Sequence, residues 1–330
     1  MRRWFSERLD NAMFPLLKFV YRGYHRRLAP YRPAGHCDLP SLARPEPPGC
    51  VALRPEGTWR GFAMEAVWFD SPQSCTCEQN RTVHGRLITA DPAAPWVLIV
   101  PGYATGALPP HGYSLFQNVQ GYHLLRRGLN VALLQLPFHM ARRRPGCGSG
   151  EGFFSPDLAE TMGAFQQAAA DGVALVRWLQ ARSGRPVGLW GTSLGGNVAG
   201  LVTTLLGDLG AVVLMEPLDN PGDTLAVLPG SREIREALRQ AGVEPQLLPQ
   251  ILGPLAPSRY APAIGPERIL FVTPLWDRVI PARFQEAFWQ AWGRPARIAV
   301  DAGHLTLPTD RALNEKVADF MAGWLLGTAT

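Results

Sequence analysis

The chain has 330 residues, of which 46% are hydrophobic and 18% charged, a balance that fits a globular fold and excludes wholesale disorder. Its 32 basic and 27 acidic side chains give a net charge of +5. The first 30 residues carry this whole surplus, since they hold seven basic side chains against Glu7 and Asp10, and the remaining 300 residues hold 25 of each sign. A neutral body argues against a broad phosphate-binding face, so nucleic acid is not an expected partner.

Residues 4–28 place apolar side chains at helical spacing, with a basic stripe on the opposite side. Pro15 is expected to divide this segment into two short helices, and a proline-rich connector follows it. We therefore interpret residues 1–58 as a basic amphipathic extension. It packs against the body, which is the commonest role of such segments, contacts an anionic membrane surface through residues 1–30, or mediates oligomerisation.

The compartment expected for the chain is the cytoplasm, with peripheral contact at the inner face of a membrane as a second interpretation. Five cysteines, an odd number spread over a long chain, do not make a disulfide framework. Cys75 and Cys77 have no second Cys or His pair at metal-ligand spacing, so no metal and no cofactor are expected. Acidic and basic residues interrupt any signal-peptide core, and no apolar run approaches the roughly 18 residues of a membrane span.

From residue 59 onward, predicted strands alternate with predicted helices. The predicted strands are Phe62–Phe69, Val83–Thr89, Trp96–Val100, Asn130–Leu136, Pro186–Trp190, Ala211–Met215, Ile269–Thr273 and Ala296–Val300. The predicted helices are Ser114–Arg127, Asp157–Ala181, Leu194–Leu206, Ala282–Trp292 and Asp310–Leu325. This order predicts one α/β domain over residues 59–330, with a mainly parallel, twisted sheet and helices on both faces. Residues 217–267 are rich in proline and predict a lid-like insertion. Its apolar face either covers an acyl pocket or packs on the body, and it is made by Leu247, Leu248, Ile251, Leu252 and Leu255.

The turn after the strand Pro186–Trp190 reads GTSLGG, with Ser193 between two flanking glycines, Gly191 and Gly195. A G-x-S-x-G pattern between a strand and a helix is typical of a nucleophilic serine. The serine sits at the tip of a sharp, strained turn, and glycine at both flanks removes side chains that would clash there. The sequence thus predicts Ser193 as a nucleophile at the carboxyl edge of the sheet, where active sites of such folds lie.

A nucleophilic serine needs a base, and the base needs an acid to orient it. Asp277 and His304 each follow a late predicted strand, so both are expected at the same sheet edge as Ser193. The chain order Ser, Asp, His is the one expected for this fold. Asp301 and Glu216 are the alternative acids: the first is only three residues from His304, and the second ends an earlier strand.

Together, the segments GTSLGG, DRVIP and AGH resemble the α/β-hydrolase superfamily over residues 60–330. That family usually has His-Gly after its third strand, where this chain has Pro101 and Gly102. The resemblance implies an oxyanion hole made by the backbone N–H groups of Tyr103 and Leu194. The sequence leaves open whether the first donor is Tyr103 or Ala104.

What the resemblance implies is a serine hydrolase of the carboxylic-ester type, acting on a small acyl substrate through an acyl-enzyme. Acyl transfer or thioester hydrolysis with the same triad is one alternative, and a non-catalytic, membrane-associated binding protein on the same fold is another. Haloalkane dehalogenation is disfavoured because it needs a carboxylate nucleophile at the elbow. In the loop over residues 137–155, Arg142, Arg143 and Arg144 either bind an anionic substrate group or form a solvated surface.

Overall fold

The computed structural model describes residues 2–20, 29–42, 47–73, 75–107 and 116–328. Within these ranges, nine strands form one sheet. In chain order they are β1 (Ala52–Trp59), β2 (Phe62–Asp70), β3 (Thr82–Thr89), β4 (Trp96–Val100), β5 (Asn130–Leu134), β6 (Gly188–Thr192), β7 (Val212–Met215), β8 (Ile269–Pro274) and β9 (Ala296–Val300).

The strand order across the sheet is β1-β2-β3-β5-β4-β6-β7-β8-β9. β1, β2, β3 and β5 pair antiparallel in succession, and every pair from β5 to β9 is parallel. The residues of β4 to β8 are all buried, as expected for parallel strands covered on both faces. Because β4 to β9 run in the same direction, the loops that follow them meet at one edge of the sheet.

Helices cover both faces of the sheet, as predicted. They are α1 (Arg2–Val20), α2 (Tyr122–Leu125), α3 (Leu158–Ser183), α4 (Leu194–Leu205), α5 (Pro221–Val227), α6 (Arg232–Gln240), α7 (Leu248–Ile251), α8 (Ala282–Ala291) and α9 (Arg311–Leu326). α3, α4 and α8 contribute to one apolar core cluster, and α2 and α9 contribute to a second one. In the described part of the chain, no helix is long and apolar enough to cross a membrane.

The insertion over residues 217–267 lies between β7 and β8 and carries α5, α6 and α7. Its apolar face packs on the body, because Leu248, Leu252 and Leu255 are fully buried in the first core cluster. Leu247, by contrast, is 46% exposed. The sequence left open whether this face packs or covers an acyl pocket, and these three leucines pack.

The sheet starts earlier than predicted. β1 pairs with β2 although residues 52–58 were assigned to the proline-rich connector, so that assignment was wrong for this stretch. Proline discouraged a strand prediction here because it cannot donate to a ladder. Pro55 is tolerated because β1 lies at the edge of the sheet and its register shifts between Pro55 and Gly57.

The N-terminal helix also differs from its prediction. α1 is continuous through Pro15, which was expected to split it. Proline removes the helical hydrogen bond to the carbonyl four residues earlier. That residue, Asn11, is exposed, so water can hydrogen-bond to its carbonyl.

Residues 21–28, where the amphipathic pattern was expected to go on, lie outside the described residues, as do residues 114 and 115 of the predicted helix Ser114–Arg127. Residues Phe116–Gly121 form a π-helical turn leading into α2.

Candidate active site

The turn between β6 and α4 holds Ser193 in a strained conformation, with φ of 57° and ψ of −118°. This region is unfavourable for a residue with a side chain and persists only where packing imposes it. The flanking glycines explain how the turn fits. A Cβ on Gly195 would lie 2.0 Å from the Val100 carbonyl oxygen, and one on Gly191 would lie 2.2 Å from the Gly195 carbonyl oxygen. The turn therefore presents Ser193 at the carboxyl edge of the sheet, as the motif predicts.

Three predicted side chains meet at this edge. The Ser193 hydroxyl lies 2.9 Å from His304 Nε2, and His304 Nδ1 lies 2.8 Å from Asp277 Oδ2. Each of the three residues is at most 8% exposed. A hydroxyl, an imidazole and a carboxylate in this relation can pass a proton from the serine to the histidine.

Asp277 is held by its own loop. Its Oδ1 accepts hydrogen bonds from the backbone N–H groups of Val279 and Ile280, at 2.8 and 2.7 Å. Its Oδ2 accepts from Gln285 Nε2 at 2.9 Å, in addition to the bond with His304. Four donors directed at one carboxylate fix its orientation.

The two alternative acids are placed differently. Asp301 is exposed, and the structure does not bring it to the histidine ring. Glu216 is fully buried, with Oε2 3.8 Å from His304 Nδ1, and its backbone has a positive φ of 42°. Neither carboxyl oxygen of Glu216 has a hydrogen-bond partner among the described residues. Burial raises the pKa of Glu216 well above its ordinary value, which favours its neutral form, and Asp277 is the acid that is hydrogen-bonded to the histidine.

Burial lowers the pKa of His304, but the charge of Asp277 and the proximity of Glu216 raise it more, and the net pKa lies above the ordinary value of 6.5. Asp277 contributes both its charge and the hydrogen bond to Nδ1, and the charge of Asp10 also raises the pKa of His304. This arrangement stabilises the imidazolium that forms when His304 accepts a proton.

Glu216, Asp277 and His304 also form a buried group whose ligand atoms lie within 4.8 Å of one another, close enough to hold a metal ion. Both imidazole nitrogens are already used, one by Asp277 and the other by Ser193. The hydrogen bonds thus account for the position of the ring.

The predicted oxyanion turn follows β4 and lies against the serine. A Cβ on Gly102 would lie 3.4 Å from Ser193 Cβ, which brings this backbone into contact with the nucleophile. The Ala104 N–H donates to His139 Nε2 at 3.1 Å. Ala104 is therefore engaged elsewhere, which favours Tyr103 as the donor of this turn. Leu194 opens α4, where backbone N–H groups have no partner within the helix.

His139 is a residue that the sequence reasoning missed. Its Nδ1 donates to the Pro137 carbonyl at 2.8 Å, so its Nε2 is free of a proton and accepts from Ala104. Ala104 itself has a positive φ of 62°. Burial lowers the pKa of His139 to about 4, which keeps the ring neutral and able to accept. The sequence prediction for this loop concerned only its arginines, which were expected either to bind an anionic substrate group or to form a solvated surface.

Two of those arginines are placed differently from either expectation. Arg142 is fully buried, forms an ion pair with Asp171 at 2.8 Å, and donates to the carbonyls of Gln135 and Asn80. Arg144 is partly exposed and pairs with Glu160. Arg142 and Arg144 thus tie the loop to the body, whereas Arg143 is exposed, as a solvated surface residue would be.

Solved structures of similar fold include two acetyl xylan esterases. One, from Paenibacillus sp. R4, has a TM-score of 0.64 at 16% identity and covers 90% of this chain and 97% of that chain. The other, from Thermoanaerobacterium sp. JW/SL YS485, has a TM-score of 0.62 at 15% identity and covers 91% and 97%. The chain has the α/β-hydrolase fold, as its motifs implied.

By sequence, the chain is similar to uncharacterized proteins. No protein-family model matches the chain. An uncharacterized protein of Mycobacterium tuberculosis (strain H37Rv) is 26% identical over 227 residues, which are 68% of this chain and 53% of that protein. An uncharacterized Bacillus subtilis protein, YdjC, is 31% identical over 77 residues, 23% of this chain and 66% of that protein. The match thus spans about half the length of the mycobacterial relative.

Proposed function

We propose that this chain is a serine hydrolase that cleaves an ester-type acyl bond through Ser193, His304 and Asp277. The observation that carries the proposal is the chain of two hydrogen bonds, 2.9 Å from Ser193 Oγ to His304 Nε2 and 2.8 Å from His304 Nδ1 to Asp277 Oδ2. These distances lie within the range needed for proton transfer.

In the proposed reaction, His304 Nε2 takes the proton of Ser193 as the Ser193 oxygen attacks the acyl carbonyl. The resulting imidazolium gives that proton to the leaving alcohol, which departs and leaves an acyl-enzyme. Water then attacks the acyl carbon, His304 again accepts a proton, and Ser193 is released with the acid product. Asp277 keeps the Nδ1 proton in place and stabilises the imidazolium in both steps.

Two backbone N–H groups, those of Tyr103 and Leu194, are the proposed donors to the oxyanion. The contact of Gly102 with Ser193 and the engagement of Ala104 by His139 support this assignment. Donors fixed in the backbone need no reorganisation when charge develops, and losing one such donor typically costs about 3 kcal/mol of transition-state stabilisation. Since two fold neighbours are named as acetyl xylan esterases, acetyl esters are a suitable first substrate class for assay.

The test compares p-nitrophenyl acetate hydrolysis by the full chain with that of Ser193→Ala. We expect the variant to fold normally and to lose at least about 10³-fold in kcat, because the nucleophile is gone and only binding and oxyanion contacts are left. Ser41→Ala, at an exposed serine, is the matched control and should hydrolyse like the wild type. Equal hydrolysis by Ser193→Ala and Ser41→Ala would refute the proposal.

A further inference from the structure

The N-terminal helix α1 reaches the catalytic loops through one buried carboxylate. Asp10 is 0% exposed and lies against two loops at once. Its Oδ2 accepts from the backbone N–H groups of His304, at 2.8 Å, and of Arg278, at 3.1 Å. Its Oδ1 accepts from the N–H of Leu305 at 2.9 Å. The carboxylate thus joins the loop that carries the base to the loop that carries the acid.

Three converging N–H donors call for an acceptor with two oxygens and a negative charge, and Asp10 supplies one. The Asp10 carboxylate is also packed closely against the backbone of the loop that carries His304. A Cβ on Gly303 would lie 2.8 Å from Asp10 Oδ2, so a larger residue there would collide with the carboxylate. The glycine of the AGH segment therefore makes room for a residue nearly 300 positions away.

Two further contacts join α1 to these loops. Glu7 pairs with Arg278 at 3.0 Å, where the two side chains are 23% and 51% exposed, and such a pair fixes a geometry weakly because water competes for each partner. Ser6, which is buried, shares a hydrogen bond of 3.2 Å with Thr306, and neither hydroxyl is charged. Asp10 is the buried charged group of the described part of this helix.

We propose that Asp10 is a positioning residue that holds the histidine loop and the acid loop in register, so that His304 faces Ser193 on one side and Asp277 on the other. This inference rests on the proposed function. Asp10 does not touch the imidazole; its hydrogen bonds are to backbone N–H groups of the two loops, and its charge also raises the pKa of His304. A catalytic group displaced by about 1 Å loses on the order of 10²-fold in rate, which sets the expected size of the effect.

The experiment uses full-length Asp10→Asn, which keeps the side-chain shape but replaces one acceptor oxygen by a donor facing N–H groups. Glu7→Gln is the matched control, since it removes the same charge from the same helix one turn earlier. We expect kcat for p-nitrophenyl acetate to fall about 10²-fold in Asp10→Asn, with KM unchanged within about twofold. Glu7→Gln should stay within about twofold of the wild type in both constants.

Three results would overturn the inference: wild-type kcat in Asp10→Asn, the same loss in both variants, or the disappearance of a cooperative unfolding transition in Asp10→Asn. Loss of the cooperative transition would show that Asp10 is needed for folding itself. None of the described α1 side chains is part of either apolar cluster, so the replacement of a positioning residue should leave the core folded.

Hydrogen exchange separates this inference from the proposed function. The amides of His304 and Leu305 should exchange at least about tenfold faster in Asp10→Asn than in Glu7→Gln, whether or not any ester is cleaved. If the wild type cleaves no ester but exchange changes in this way, the proposed function fails and the contact of Asp10 with the loop stands. If exchange is equal in both variants, Asp10 does not hold the loop.

Discussion

His139 is a single residue whose protonation state determines what it can do for its neighbours. In the neutral ring, Nδ1 donates to Pro137 and Nε2 accepts from Ala104, next to the proposed oxyanion donor Tyr103. A second proton, on Nε2, would place one N–H donor opposite another, the backbone N–H of Ala104. Burial prevents this near neutral pH by lowering the pKa of His139 to about 4.

This arrangement predicts a pH effect on stability. The unfolded chain binds a proton at His139 below about pH 6.5, whereas the folded chain does so only near 4, so the free energy of unfolding decreases as the pH falls between these values. The contribution approaches roughly 3 kcal/mol at the acid end. His139→Gln keeps an acceptor but does not titrate, so its stability should fall less. Urea unfolding at pH 7, 6, 5 and 4.5 gives the free energy of unfolding of the wild type and of His139→Gln. The same dependence on pH in both proteins would contradict the role assigned to His139.

Glu216 is a second acid beside His304, the proposed base, and burial raises the pKa of Glu216 well above its ordinary value. In Asp277→Asn the main orienting charge is lost, and Glu216 Oε2, 3.8 Å from His304 Nδ1, is placed to take over once it ionises. We expect Asp277→Asn to retain a residual kcat/KM that increases as the pH rises, because only the deprotonated Glu216 accepts from the imidazole.

The double variant Asp277→Asn, Glu216→Gln should lose about a further tenfold and show no such rise. Measuring kcat/KM between pH 6 and 9 for both variants decides the point. If the single and double variants have the same profile, Glu216 takes no part.

Among the elements, the junction of β6 and α4 is the most tightly packed part of the site. A Cβ on Gly195 would lie 2.0 Å from the Val100 carbonyl oxygen, within the backbone of β4. Gly195→Ala must therefore shift a strand or a helix and should lower the free energy of unfolding by at least about 3 kcal/mol, as overpacking does. Gly163→Ala is the control, since nothing lies within 4 Å of its Cβ and alanine favours the helix interior by up to about 1 kcal/mol.

Thermal unfolding of the two variants gives the comparison. The prediction is a large destabilisation of Gly195→Ala and an unchanged or raised melting temperature for Gly163→Ala. Equal melting temperatures would contradict the close approach of helix and strand.

The elements that could be predicted from the sequence are those with a continuous apolar pattern. The strands β4 to β8 are buried apolar runs, and GTSLGG sits in the strand–turn–helix context that gives it meaning. β1 could not be predicted because Pro55 hides an edge strand, and the continuity of α1 could not because Pro15 normally ends a helix. Both depend on which backbone groups face solvent, and that is known only once the neighbours are placed.

The sequence left open whether the N-terminal extension packs on the body. In the described part of α1, the polar side chains of Ser6 and Asp10 are buried, whereas Phe5 is 56% exposed and Trp4 59%. A hydrophobic pattern does not reveal that three backbone N–H groups, those of Arg278, His304 and Leu305, lie where one carboxylate can accept from them all. Contact of the outer face with an anionic membrane surface stays a prediction, to be measured by vesicle sedimentation.

At the scale of the whole molecule, the sheet brings together residues far apart in sequence. Parallel strands end at one edge, so Ser193, Asp277 and His304 could be assigned to one site from the sequence. His139 and Asp10 could not, because each acts through backbone groups of another segment and neither belongs to a motif.

The charge of the molecule is also clearer. Both acidic residues of the first 30, Glu7 and Asp10, face the catalytic loops, and this leaves the basic surplus of the described N-terminal residues on the outer side. Arg3 and Arg8 lie there, with Arg8 stacked over Trp4. The surplus of +5 lies in the first 30 residues, and the two of their basic side chains that the structure describes, Arg3 and Arg8, are exposed.

The most direct test of the central claim is to map the adduct of a fluorophosphonate probe by mass spectrometry of the digested full-length protein. The account predicts one modified peptide, carrying the phosphonyl group on Ser193, and no labelling in Ser193→Ala. An adduct on another residue, or labelling that persists in Ser193→Ala, would contradict it.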